Sequence, residues 1–370
     1  MPAAMTDHDL AGKRILITGG AGFIGSHLVD AALAAGCARV VVYDALTYAA
    51  NPESLRPALA DPRCDLVEGD LLEGPKLRTL LAAERPQRVF HLAAETHVDR
   101  SIEAPLGFVR ANVEGSASLL RAAVDHHRGL AGAEAGAFRI VHVSTDEVFG
   151  SMAPGAFADE RSAYSPSSPY AASKAAADHL VHAFGRTYGL PCVLTWCTNN
   201  YGPRQFPEKL VPLALLRAKT GKAVPLYGDG SHERDWIHVA DHCAALLAVG
   251  EAGTPGEGYC IGAGNLRSNR ALVEELLSAA QTLGLCGAVG HEAVPDRPGH
   301  DARYALDARK LRATTGWRPQ RSLAEGLQGT VRWYAENGDW VESSLVRAGY
   351  RGERLGLGPR GDHPVGEGRA

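Results

Sequence analysis

Short apolar runs alternate with longer amphipathic ones over the first two hundred residues. Arg14–Thr18 (RILIT), 39–43 (RVVVY), 88–92 (RVFHL), 139–143 (RIVHV) and 192–195 (CVLT) are apolar or β-branched and end at turn residues. Apolar runs without polar alternation fit strands of a parallel sheet covered on both faces. Between them, 23–35, 75–84, 105–126 and Pro169–Tyr188 carry helical patterning, and the β-α-β-α order predicts a doubly wound α/β domain. That domain is expected over residues 11–201. From Gly202 onward, Pro203, Pro207, Pro212 and Pro225 break the pattern. A smaller C-terminal α+β domain is expected from 202–234 and 263–350, with about 235–262 returning to the large sheet. Residues 1–10 are expected to fray. Residues 351–370, with six glycines and two prolines, read as a flexible tail.

Composition narrows the function class. The chain has 370 residues, 45% apolar and 22% charged, which excludes a mainly disordered protein. A net charge of −4 does not suit a nucleic-acid binder, so an anionic ligand needs a local basic cluster. No apolar run nears the ~20 residues that span a bilayer, and Asp7, His8 and Asp9 do not read as a secretory signal. Seven scattered cysteines with no CxxC pair argue against disulfides or a metal site and point to a reducing, cytoplasmic setting. Glycine, at 42 residues, is enriched over the usual ~7%, as tight turns at a ligand edge require.

The glycines concentrate where chemistry is expected. Thr18-Gly19-Gly20-Ala21-Gly22-Phe23-Ile24-Gly25 follows the first strand and opens a helix, and it satisfies GxGxxG at Gly20, Gly22 and Gly25. Glycine there lets the backbone approach a pyrophosphate while the helix N-terminus offers free N–H groups, the Rossmann-type dinucleotide fingerprint. The second strand leads to Asp44, 19 residues beyond Gly25. A carboxylate in that place bonds a ribose diol and repels a 2′-phosphate, so NAD is favoured over NADP. A third strand is expected to end at Asp70, within reach of the adenine amine.

Tyr170 and Lys174 form YxxxK in a predicted helix, on one face at i and i+4. A free Tyr titrates near ~10; a neighbouring ammonium and the positive nicotinamide ring are expected to lower that and make the phenol a usable base. The strand from 139 leads into Ser144-Thr145-Asp146-Glu147, at the sheet edge where ligands bind. By spacing alone, Asp146-Glu147 is either a solvated loop or an acid–base pair with unequal environments.

These residues resemble the extended short-chain dehydrogenase/reductases, and within them the nucleotide-sugar 4,6-dehydratases. The resemblance runs from about 13 to 341 through TGGAGFIGSH, YDALTYAAN, HLAAETHVDRSI, STDEVFG, YAASK, NNYGPRQFPEKL, RDWIHVAD and DRPGHDARYALD. It implies loss of water from a nucleoside-diphosphate glucose, dTDP-glucose foremost, to give the 4-keto-6-deoxy sugar. Tyr170 is the implied base at the 4-hydroxyl, with Lys174 lowering its pKa and Thr145 bonding the 4-oxygen. Glu147 removes the C5 proton and Asp146 protonates the departing C6 hydroxyl. The resemblance assigns NAD to Gly19, Gly22, Phe23, Ile24, Gly25, Asp44, Leu46, Thr47, Asp70, Leu71, Leu92, Ala93, Ala94, Tyr170, Lys174 and Asn200. It assigns the substrate to Thr96, Thr145, Asn199, Lys209, Leu210, Pro225, Tyr227, Arg234, Asn269, Arg297 and His300. A homodimer through a four-helix bundle of 105–126 and Pro169–Tyr188 is also implied, with Phe108, Val113, Leu120, Ala171, Ala175 and Leu180 as its apolar and small residues.

Phe149, Ala111, Trp196 and Ala50 depart from the family pattern, which usually has Tyr, Thr, Arg and Gly there. None removes a catalytic group. A 4-epimerase or glucuronate decarboxylase would use the Tyr and Lys without needing Asp146-Glu147. A non-catalytic NAD-binding regulator would not need the five catalytic positions intact. Arg234 has a plainer alternative, a salt bridge to Glu233 or Asp235.

Overall fold

In the computed structural model, which describes residues 10–350, twelve strands form three sheets. The large sheet contains β1 (Arg14–Thr18), β2 (Arg39–Asp44), β3 (Cys64–Glu68), β4 (Arg88–His91), β5 (Arg139–Thr145) and β6 (Cys192–Cys197). The smaller sheets draw on β7 (Asn199–Tyr201), β8 (Val224–Tyr227), β9 (Glu233–His238), β11 (Leu266–Ser268) and β12 (His291–Val294), while β10 (Gly258–Ile261) closes the large one. The large sheet runs β10-β6-β5-β4-β1-β2-β3 and every pairing in it is parallel. Chain order reverses between β1 and β4, and in such sheets the crevice at that reversal takes the ligand.

The unbroken apolar strands follow from burial on both faces. Ile15, Ile17, Val40 and Val42 point to the side covered by helices Phe23–Ala34 and Val239–Ala252. Leu16, Val41, Val89 and Ile140 alternate to the other side, under helices Gly74–Glu84, Gly115–Arg128 and Pro169–Tyr188. A third core, with Trp236, Leu272, Leu276, Leu327 and Val331, holds the C-terminal part around β7-β9-β11 and β8-β12.

Several boundaries differ from the sequence reading. β3 stops at Glu68, so Asp70 stands two residues past the strand, in the loop where Tyr43 donates to its carbonyl at 2.8 Å. Leu10, expected to fray, is fully buried in the first core; 1–9 and 351–370 lie outside the described residues. The segment expected to return from about 235 starts later. Asn199–Tyr201 and Leu266–Ser268 take Glu233–His238 as partner, so only the helix Val239–Ala252 and β10 rejoin the large sheet. The helix expected over 105–126 is interrupted. Pro105–Phe108 leads into a π-helical turn, Val109–Glu114, before a regular helix runs to Arg128. A π turn adds a residue to the helical circuit and redirects its side chains; the one turned inward is Asn112. Among the described residues no helix is long and apolar enough to cross a membrane.

Candidate active site

A cleft of about 370 Å³ opens at the carboxyl ends of the central strands. Its floor is the glycine loop. Gly19 has φ +72°, and a Cβ there would lie 2.6 Å from the Ala93 nitrogen; a Cβ on Gly25 would lie 2.1 Å from the Gly19 carbonyl. Only glycine lets these three segments meet. The following helix has no side-chain cap and no acid in its first turn, so its first N–H groups and positive dipole end face the cleft unneutralised. Asp44 sits opposite, 7% exposed. Its carboxylate accepts from Ala21 N and Leu46 N, both at 2.8 Å, which ties β2 to the glycine loop. Burial pushes its pKa up. An uncapped helix start, a loop too tight for any Cβ and a carboxylate at the second strand together fit a dinucleotide such as NAD.

Gly19, Gly22, Phe23, Ile24, Gly25, Asp44, Thr47, Asp70, Leu71, Leu92, Ala93, Ala94, Tyr170, Lys174 and Asn200 line this cleft. Leu46 does not. Its φ of +52° turns the chain, and its side chain packs on the apolar core behind. Ala111, one of the departures, is also part of the wall.

The catalytic candidates stand where β5 ends. Thr145 caps a 3-10 turn, Asp146–Phe149: its hydroxyl accepts from Glu147 N and donates to Asp146 Oδ1, both at 3.3 Å. Asp146 is 4% exposed and its second oxygen has no hydrogen-bond partner. Burial, and then the neighbouring Glu147, push its pKa well above the ordinary carboxyl value. Glu147 is also raised by burial, but Arg297, Arg234 and Lys209 act against the shift. The pair therefore sits in unequal fields, one carboxyl pressed to hold its proton and the other faced by three cations.

Tyr170 begins the helix Pro169–Tyr188. Ser168 caps it, Pro169 fills the first helical position and Gly189 in the left-handed region ends it. Burial, then Glu147, push the Tyr170 phenol well above its usual value, and the opposing influence is a hydrogen bond with Thr145. Lys174 donates to the Val143 carbonyl at 2.8 Å.

Of the substrate positions, Thr96, Thr145, Asn199 and Lys209 line the cleft; Lys209 donates to the Thr96 carbonyl at 2.9 Å. Leu210, Pro225, Tyr227, Arg234, Asn269, Arg297 and His300 stand outside its wall. Leu210 packs on the C-terminal core, Pro225 lies within β8, and the Asn269 N–H donates to the His232 carbonyl. Arg297 pairs with Asp99 at 3.5 Å, and Tyr227 donates to the same carboxylate. His300 shares Asp296 with His232, at 2.7 and 3.2 Å, and the two rings stack at 3.8 Å. Arg234 forms no salt bridge to Glu233 or Asp235. Its guanidinium donates to the Asp301, Ala302 and Glu233 carbonyls and lies 4.2 Å over the Tyr304 ring. Arg303 takes the Glu233 carboxylate. Arg234 and Arg297 still reach the catalytic pair through their charge.

Three residues the sequence reading passed over shape the site. Asn112, from the π turn, accepts from Glu95 N and donates to the Glu95 carbonyl and Ser173 Oγ, pinning the loop after β4 to the Tyr170 helix. Its one sequence signal is an amide among apolar and small residues. Glu208 lies in the cleft wall with its side chain 1% exposed, accepting from Tyr48 at 3.1 Å. Asp178, completely buried on the Tyr170 helix, accepts from Ser144 Oγ at the end of β5.

This site recurs in known proteins. The family model described as GDP-mannose 4,6 dehydratase matches residues 16–330. A dTDP-glucose 4,6-dehydratase of Neisseria meningitidis serogroup B is 45% identical over 356 residues, covering 94% of this chain and 99% of its own. The chain belongs to the dTDP-glucose 4,6-dehydratase family. The Streptomyces venezuelae dehydratase, solved with NAD bound, superposes with a TM-score of 0.83 at 46% identity over 90% of this chain and 99% of its own. The Thermus thermophilus UDP-glucose 4-epimerase, in complex with NAD, shares the scaffold (TM-score 0.77) at 32% identity, covering 88% of this chain and 99% of that one. Dehydratases and epimerases thus share this architecture, and the dehydratase relatives are the nearer of those compared here.

Proposed function

We propose that the protein converts dTDP-glucose to the 4-keto-6-deoxy sugar by removing water across C5 and C6. The observation that carries this reading is the pair of buried Asp146 and half-buried Glu147 in the cleft that Tyr170 also lines, a second acid–base set that a 4-epimerase does not need. NAD, when bound, supplies a reversible hydride acceptor, held by the glycine loop, Asp44, Tyr170, Lys174 and Asn200.

The chain's own groups divide the proton work. Tyr170 takes the proton of the 4-hydroxyl while Thr145 bonds the 4-oxygen. Because burial favours the neutral phenol, that step depends on positive charge in the site, and Lys174 is the chain's cation there. A ketone at C4 acidifies the C5 hydrogen. Glu147, ionised under the field of Arg297, Arg234 and Lys209, removes it. Asp146, kept protonated by burial, protonates the C6 oxygen as it leaves. Lys209, Arg234 and Arg297 form the basic surround that a diphosphate requires, arginine giving two-pronged contact, with His300, its pKa pushed down to about 3 by burial, as a neutral hydrogen-bonding neighbour. For Arg297 this means exchanging Asp99 for phosphate.

A cytoplasmic homodimer is part of the reading. Phe108, Leu120, Ala171 and Ala175 are already buried within one chain, and Val113 and Leu180 are half-buried. The apolar side chains left exposed include Leu106, 80% exposed, just before the π turn, and Val109, 48% exposed, its first residue. A second copy covering them by two-fold symmetry is the economical solution. Incubation with dTDP-glucose and analysis of the product test the whole reading: a 4-keto-6-deoxy sugar supports it, and dTDP-galactose or unchanged substrate refutes it.

A further inference from the structure

The Tyr170 helix carries a third buried polar residue in register. Tyr170, Lys174 and Asp178 follow at i, i+4 and i+8, one above another on the face turned to β5 and β6. Asp178 is completely buried. Its Oδ2 accepts from Ser144 Oγ at 2.7 Å, Tyr164 OH at 2.9 Å and Trp196 Nε1 at 3.1 Å. His142 Nε2 lies 3.1 Å from Oδ1 without hydrogen-bonding alignment.

Those partners are two hydroxyls, an indole and an imidazole. His142 is completely buried, and burial lowers its pKa, so it stays neutral. They stabilise a carboxylate without cancelling its charge. Lys174 is buried at 4% exposure, with one hydrogen bond, to the Val143 carbonyl, and burial works against its charge. The titratable groups around it are Tyr170 and Asp178 on its own helix, His142 on β5, His91 on β4, and the Cys197 thiol at the end of β6. His91 bonds Thr18 and Ser116, and burial keeps it neutral; the Cys197 thiol is pushed up to about 12 and stays protonated. Asp178 brings the one carboxyl group to this set, with three donors converging on its Oδ2.

We propose that Asp178 is a positioning residue for the reaction, the buried counter-charge that holds Lys174 as an ammonium beside Tyr170. The same carboxylate, through the Ser144 hydroxyl, fixes the strand end that presents Thr145, Asp146 and Glu147. Trp196, the departure from the family pattern, belongs to this device: its indole N–H bonds the carboxylate as a neutral donor, where an arginine would bring a second positive charge. The inference rests on the reading of Lys174 as the cation of the site.

The test is a direct titration of Lys174. Lysine labelled with carbon-13 at Cε is observed by NMR in the full-length protein, and the Lys174 signal is assigned by its loss in Lys174→Met. In Asp178→Asn, Lys174 is expected to lose its proton about one pH unit or more below wild type, the effect of removing an adjacent opposite charge. Ser144→Ala, which removes one neutral donor and keeps the carboxylate, is expected to leave the titration in place. An unmoved Lys174 in the Asn variant overturns the proposal; so does an equal shift in Ser144→Ala, which would show packing as the cause. If the Asn variant does not fold, as judged by its melting curve, Asp178→Ser is read in the same way. The titration needs no turnover, so its outcome stands apart from the product analysis that tests the function itself.

Discussion

Replacing Asp146 by Asn keeps the side chain's size and its bond to Thr145 but removes the transferable proton. In the structure this carboxyl is 4% exposed, has one oxygen with no partner and faces Glu147, and burial followed by that neighbouring charge raises its pKa and favours the acid form. A positioned general acid contributes ~10²–10⁴-fold, or roughly 3–5 kcal/mol of barrier at about 1.4 kcal/mol per decade. The expected result is a fall in kcat of that size, with C4 oxidation and C5 proton removal intact. Turnover of dTDP-glucose is read from the alkaline absorbance of the 4-keto product. In deuterated water, the recovered sugar of the variant is expected to carry deuterium at C5, because Glu147 still removes that proton while water loss lags. The pH dependence follows from sign. The acid form does the work and its pKa is raised, so this group's contribution is full at low pH and is lost as pH rises through the raised value. Asp146→Asn is expected to lack that alkaline decline. A loss under about threefold, far below what a general acid supplies, or an unchanged alkaline limb would show that Asp146 is not the acid.

Glu147→Gln is expected to stall after C4 oxidation and accumulate enzyme-bound NADH when substrate is added; full turnover would remove Glu147 from its role. Apoenzyme is expected to regain activity with NAD at least about tenfold better than with NADP, a difference of ~1.4 kcal/mol. Asp44→Ala is expected to narrow that gap by weakening NAD, since it also orphans the Ala21 and Leu46 N–H groups; equal reactivation of wild type by both cofactors would remove Asp44 from the ribose. Light scattering is expected to give twice the 39.1 kDa chain mass, and Leu106→Glu to shift the protein toward monomer; a wild-type monomer at micromolar concentration refutes the dimer.

The parallel sheet was legible because strands buried on both faces must be apolar throughout, and RILIT, RVVVY and RVFHL can serve little else. The glycine loop was legible for a related reason. Approach to within 2.1 Å of a would-be Cβ tolerates no other residue, so the constraint is written directly in residue type. YxxxK and Asp146-Glu147 were legible as letters at a spacing, and their roles came through resemblance. Other features belong to the tertiary structure alone. The π turn that aims Asn112 leaves no periodicity a regular helix would not. The residues expected to face a second copy, Phe108, Leu120, Ala171 and Ala175, are buried within one chain, because the same apolar stripe can serve either interface. Arg234 has two acidic neighbours in sequence, yet it pairs with neither carboxylate, and two of its three carbonyl partners lie 67 and 68 residues away. Tyr170 has a lysine one turn along, yet that lysine bonds the Val143 carbonyl while burial and Glu147 act on the phenol. In each case, sequence specifies which group is present and which neighbours share its helix or strand. The charge a group carries depends on how much water its surroundings exclude and which distant dipoles and charges close around it, and only the folded chain brings those together.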